Sequence, residues 1–149
     1  MNVSEIDIEQ RVHKSALLRE QGFNCSQAVF AACSDLYGID QTTALRLAAS
    51  FGGGIGMMRQ TCGAACGMFL LAGLENGNSE PCQPRAKQVN YALVQKLAEG
   101  FKEHNGGIIC ADLLGLNGNE PPCQKRPCKD MICDAVRQYL TTINNNNHV

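Results

Sequence analysis

Apolar positions recur at three- and four-residue spacing along most of the chain, and no stretch shows the period-two alternation of a half-exposed strand. Ile8, Val12 and Ala16 mark the inner face of a first helix that follows Ser4, covers residues 5–21 and stops at Gly22. Asn24 is placed to cap a second helix, Cys25 to Tyr37, with Cys25, Val29, Ala32, Cys33 and Leu36 on one face and Gly38 at its end. Asp40 caps a third that reaches Phe51, with Ala44, Leu47, Ala48 and Phe51 turned inward. A run of glycines then breaks the pattern. Thr61 is read as the cap of a fourth helix, with Cys62 in its first turn and Cys62, Ala65, Cys66 and Phe69 on a common face.

Residues 76–83 are polar and form a turn, after which Pro84 suits the first turn of a fifth helix. That helix extends to about Lys102 and carries the clearest period in the chain: Val89, Leu93, Leu97 and Phe101, with Val94 beside them. Gly106 and Gly107 end it. Ile108 to Leu116 reads as a short helical turn bearing Cys110, or equally as a short buried strand. Residues 117–127 are a loop rich in Gly, Pro and Asn, and a last helix, Asp130 to Thr142, bears Cys133, Val136 and Leu140. The expectation is an all-α, single-domain bundle of about six helices over residues 1–143, with residues 144–149 as a disordered tail.

Composition narrows the class. The chain has 149 residues, of which 44% are hydrophobic and 5% aromatic, with no Trp, so Ala, Leu, Gly and Cys must fill the core and helices must approach closely. A net charge of -1 and a pI near 6.3 give no footprint for nucleic acid or an anionic membrane. The acidic start, residues 1–10, lacks the apolar segment of a signal peptide, and no apolar run approaches the roughly 18 residues that would cross a bilayer. A cytoplasmic location is the default. Nine cysteines are abnormal there, and clustered thiols in a reducing compartment read as metal or redox sites.

Cys25 follows Asn24, Cys62 follows Thr61, and Cys110 opens a short turn, so all three sit near helix starts. Unpaired N–H groups at a helix start carry partial positive charge and favour a thiolate, which lowers the thiol pKa and raises reactivity or metal affinity. Cys133 lies one turn into the last helix. Four thiols from four segments can meet at one end of a bundle, where they could ligate zinc or an iron–sulfur cluster, or cycle between dithiol and disulfide. Cys33 and Cys66, in mid-helix on apolar faces, read as core, with Cys66 also placed as a resolving thiol or extra ligand one turn below Cys62. Cys82, Cys123 and Cys128 lie in Pro-rich segments and read as accessory.

The glycines at 52, 53, 54 and 56 match neither a dinucleotide fingerprint nor a phosphate loop, and no strand precedes them. They end one helix and reverse the chain through positive φ; Gly53, Gly54 and Gly56 could also let backbone approach an anionic ligand, with Arg59 adding positive charge. His13, His104 and His148 form no pairing that spacing can support.

Three stretches together resemble a known family: Asn24-Cys-Ser-Gln-Ala-Val29, Phe51-Gly-Gly-Gly-Ile-Gly56 and Cys62-Gly-Ala-Ala-Cys-Gly67, followed by single downstream cysteines. They are similar to the C_GCAxxG_C_C family of bacterial and archaeal proteins, often encoded near transporters, whose redox activity is itself inferred. The resemblance covers about Asn24 to Cys133 and implies four motif cysteines, Cys25, Cys62, Cys110 and Cys133, with Cys128 a rival for the last place. It makes Gly63 and Gly67 the signature glycines and puts Cys66 at a variable position. The expected activity is that of a redox protein using a four-cysteine site, through thiol–disulfide exchange or a bound zinc or iron–sulfur centre. The alternative is a non-catalytic metal-binding module. A redox partner protein, a small molecule and a homo-oligomer all stay open as partners.

Overall fold

The computed structural model describes residues 7–116 and 128–147, which form seven α-helices. These are α1 Ile8–Glu20, α2 Cys25–Cys33, α3 Gln41–Ala48, α4 Gly63–Asn76, α5 Pro84–Asn105, α6 Cys110–Leu113 and α7 Cys128–Asn147. No strand occurs among the described residues, and one isolated antiparallel bridge pairs Thr61 with Ile109. The architecture is all-α.

Local chemistry sets most of the boundaries. The Ser4 start lies outside the described residues; within them Asp7 caps α1 by accepting from the Gln10 N–H at 3.1 Å. Asn24 caps α2 through a capping box, accepting from the Gln27 N–H while the Gln27 side chain accepts from the Asn24 N–H. The helix expected to reach Tyr37 tightens after Cys33 into a 3₁₀ turn, Ser34–Tyr37, closed by Gly38 at φ 78°. Asp40 caps α3, and a second 3₁₀ turn, Ala49–Phe51, follows it. Pro84 opens α5 and Gly106, at φ 81°, closes it.

Two expected inward residues face solvent. Leu47 is 52% exposed and Val89 50%, because α3 buries only Ala44 and Ala48, and α5 begins its buried stripe at Leu93. Residues 144–147, expected in a disordered tail, instead continue α7. Ile143 is buried and Lys96 donates to Asn146 at 3.2 Å, so the last turns stay docked on α5.

The hub of the bundle is α2, which packs on α1, α3, α4 and α7 and buries every residue from Ala28 to Cys33. Small side chains make this possible. A Cβ on Gly67 would come within 2.8 Å of Val29 Cβ, so glycine there sets how closely α4 approaches α2. The larger core members Phe30, Met68, Leu71, Leu97, Phe101, Ile132 and Leu140 fill the space between α2, α4, α5 and α7. Buried Tyr139 places its hydroxyl 3.1 Å from the Leu71 carbonyl and 2.5 Å from the Tyr37 hydroxyl, which donates to Glu75 at 2.6 Å.

Candidate functional site

The starts of α2, α4, α6 and α7 converge on one cavity of about 240 Å³. Each contributes one cysteine to its lining. Cys25 is the first residue of α2, Cys62 the N-cap of α4, Cys110 the first residue of α6 and Cys128 the first of α7. Arg19, Asn24, Gly53, Gly54, Met57, Arg59 and Met131 complete much of the wall. Among the described lining residues, Arg19 and Arg59 are the permanently charged ones, and no carboxylate is present.

The Thr61–Ile109 bridge positions two of the thiols. Cys62 N–H donates to the Ile108 carbonyl at 2.7 Å and Cys110 N–H to the Gln60 carbonyl at 2.6 Å. In an antiparallel pairing, residues 60, 62, 108 and 110 share one face, so Cys62 and Cys110 are diagonal neighbours, about 7–8 Å apart in such ladders. This pairing also accounts for Thr61, which lies in the bridge and leaves the N-cap position to Cys62. Cys25 Sγ packs directly against Gly63, so a side chain there would collide with it. Gly63 thus holds Cys25 beside the residue that follows Cys62.

The glycine loop forms a left-handed turn. Five successive residues, Gly53 to Met57, have φ between 57° and 71°, and Arg59 follows at 61°. Ile55, Met57 and Arg59 adopt this conformation at a cost of roughly 1–2 kcal/mol each. The hydrogen bonds Gly56 N–H to Ser50 O at 2.7 Å and Gln60 N–H to Gly54 O at 2.9 Å hold the turn closed. Its outcome is a backbone pressed onto the site: a Cβ on Gly54 would lie 2.6 Å from Cys110 Cβ, and one on Gly52 would strike the Asn24 side chain. Gly53, Gly54 and Gly63 line the cavity, whereas Gly56 and Gly67 do not. Arg59 places one guanidinium nitrogen 3.7 Å from Cys110 Sγ and the other 3.8 Å from Met57 Sδ.

Electrostatics revise the expectation for Cys62. Its pKa is pushed up to about 12, first by burial, then by the neighbouring Cys25; the Ala64 and Ala65 N–H groups pull the other way and are outweighed. The thiol is 6% exposed. A helix start alone does not lower a pKa once the sulfur has lost its water. Cys66, one turn deeper, is raised to about 11 by burial and by Cys25, and reaches the Thr61 carbonyl at 3.8 Å. Cys25 and Cys128 are half-buried.

The structure brings Cys25, Cys62 and Cys110 together but leaves Cys133 elsewhere. Five helical residues separate Cys128 from Cys133, a rotation of about 140°, so the two cannot face one cavity. Cys133 points at α1, donating to the Val12 carbonyl at 4.0 Å and accepting from Ser15 Oγ at 3.9 Å. Cys33 is fully buried at the far end of α2, Cys82 is exposed in the turn before α5, and Cys123 lies outside the described residues. Arg19 escaped sequence reasoning because a cation in a last helical turn reads only as a dipole partner. Cys128, expected in the Pro-rich segment before Asp130, lies within α7 as described, Cys128–Asn147. Among the described residues no group of three or more His, Cys, Asp or Glu is arranged to hold a metal ion.

Fold and site together define an all-α protein with a cysteine-lined cavity at converging helix starts. The chain belongs to the C_GCAxxG_C_C family, described as "Putative redox-active protein", whose pattern matches residues 23–141. That span runs from just before the α2 cap into α7 and so takes in every cysteine of the cavity. No curated protein and no solved structure matches the chain. No helix among the described residues is long and apolar enough to cross a membrane.

Proposed function

We propose that the cavity is a thiol–disulfide exchange site in which Cys25 attacks and Cys62 resolves. The observation that carries this reading is the convergence of four cysteines, from the first residue or N-cap of four helices, on one cavity whose described lining holds two arginines and no carboxylate. Half-buried Cys25, the first residue of α2, is the accessible thiol of the pair, whereas Cys62 is buried. Its thiolate attacks a substrate disulfide, one substrate thiolate leaves, and a mixed disulfide forms on Cys25. Cys25 then no longer carries the charge that opposes ionisation of Cys62, while the Ala64 and Ala65 N–H groups remain to stabilise the Cys62 thiolate. Cys62 attacks the Cys25 sulfur, the second substrate thiol departs, and the protein keeps a Cys25–Cys62 disulfide. Two electrons pass to the substrate, and the two thiol protons leave with its thiols. Cys110, beside Arg59, and Cys128 flank the couple. Such a cycle suits a reducing compartment such as the cytoplasm.

Stopped turnover with single serine variants tests the roles. Cys62→Ser should accumulate a mixed disulfide on Cys25, visible as added mass, and Cys25→Ser should lose exchange by at least about 100-fold, the scale of losing a nucleophile. Cys133→Ser should retain exchange. Wild-type rates in Cys25→Ser would overturn the proposal.

A further inference from the structure

Resting on that thiol reading, the geometry points to a substrate class: we infer that the cavity takes a small disulfide carrying carboxylates. Size comes first. About 240 Å³ admits a low-molecular-weight ligand and falls below the range of drug-sized pockets, so a folded protein's disulfide is too large to enter it. Charge comes second. Arg19 and Arg59 both line the cavity and neither is paired with a carboxylate among the described residues. Arg19 donates to the Phe23 carbonyl at 3.2 Å, and the adjacent Glu20 is engaged by Lys129 at 3.2 Å, which leaves the guanidinium available. Arg59 is held by the left-handed turn with its two terminal nitrogens on the sulfurs of Cys110 and Met57 and not on a carboxylate. The apolar remainder, Met57, Leu113, Leu114 and Met131, suits the methylenes that join a disulfide to its charged ends.

In this arrangement the substrate's sulfurs meet Cys25 while its carboxylates reach toward the arginines. Exchange then proceeds as above: one substrate S–S bond breaks, the Cys25–Cys62 bond forms, and two carboxylated thiols leave.

Three disulfides of similar length test it: dithiodipropionate (anionic), bis(2-hydroxyethyl) disulfide (neutral) and cystamine (cationic). Each oxidises the fully reduced protein, and each rate is divided by that of dithiothreitol with the same disulfide, which removes differences in intrinsic reactivity. The normalised rate should favour dithiodipropionate over cystamine by about tenfold at low salt and by much less at molar salt. Arg19→Gln and Arg59→Gln should each cut the anionic-to-neutral ratio about threefold, and Arg19→Glu should cut it further. Equal normalised rates for the three disulfides would overturn the inference and leave thiol exchange standing. A preference untouched by all three arginine variants would overturn the assignment of these residues. A protein that none of the disulfides oxidises at Cys25 and Cys62 would sink both readings.

Discussion

At Cys62 the free N–H groups of Ala64 and Ala65 favour a thiolate, while burial and the nearby Cys25 hold the proton on, and the result is a pKa of about 12. The Cys25 contribution is testable. Removing that sulfur's charge in Cys25→Ser should lower the pH midpoint for iodoacetamide labelling of Cys62, and an unchanged midpoint would show that the two thiols do not interact. Gly54 is the second residue whose chemistry is local. It combines a φ of 71° with a missing Cβ that would sit 2.6 Å from Cys110 Cβ, so Gly54→Ala must both strain the backbone and displace a site thiol. Urea unfolding should show a loss of about 2 kcal/mol or more. Cys62 and Gly54 also mark how far residues can be read alone. The motif singles Cys62 out in the sequence, but its pKa depends on lost water and on Cys25, 37 positions away in the chain.

Among the elements, α2 is the one whose start carries the proposed nucleophile, half-buried Cys25. Its capping box ties Asn24 to Gln27, and Asn24 also donates to the Ala49 carbonyl at 2.9 Å, joining the helix start to the turn before the glycines. Asn24→Ala should cost about 1–2 kcal/mol in thermal or urea unfolding and slow exchange at Cys25. The left-handed turn makes the opposite prediction. Ile55 is a β-branched residue at φ 66°, so Ile55→Gly should raise stability by about 1 kcal/mol, and a loss would mean that its packing outweighs the strain. Caps and stops were legible because they are local: Asn24, Asp40, Pro84, Gly38 and Gly106 all act where their neighbours imply. Thr61 was misread because its partner, Ile109, is 48 residues away, and no local pattern announces such a bridge. Leu47 and Val89 were misplaced for a related reason, since helix periodicity defines a face but not how much of its length a neighbour covers.

At the scale of the fold, the helices bury Cys33, Cys62 and Cys66, whose pKa values are raised to about 12, about 12 and about 11 against an ordinary 9.0. A raised acid pKa keeps the proton in the folded state after the unfolded chain has lost it. Stability should therefore be unaffected by these thiols below pH 9 and fall between about pH 9 and 12. One such thiol contributes about 1.4 kcal/mol per pH unit to that slope, so Cys33→Ala should flatten the alkaline limb in urea titrations even as it lowers stability at neutral pH. The helical class was readable from periodicity, and Cys25, Cys62 and Cys110 from their helix starts. That Cys128 lines the cavity while Cys133 packs on α1 was not readable, because it turns on which side of α7 faces α1. The central claim is that Cys25 and Cys62 act as one redox couple, and differential alkylation with mass spectrometry, across a glutathione titration of the chelator-treated protein, tests it most directly. The account predicts that Cys25 and Cys62 lose and regain labelling together and yield a Cys25–Cys62 linked peptide, while Cys33 and Cys133 keep constant labelling. Unchanged labelling of Cys25 and Cys62 across the titration would contradict it.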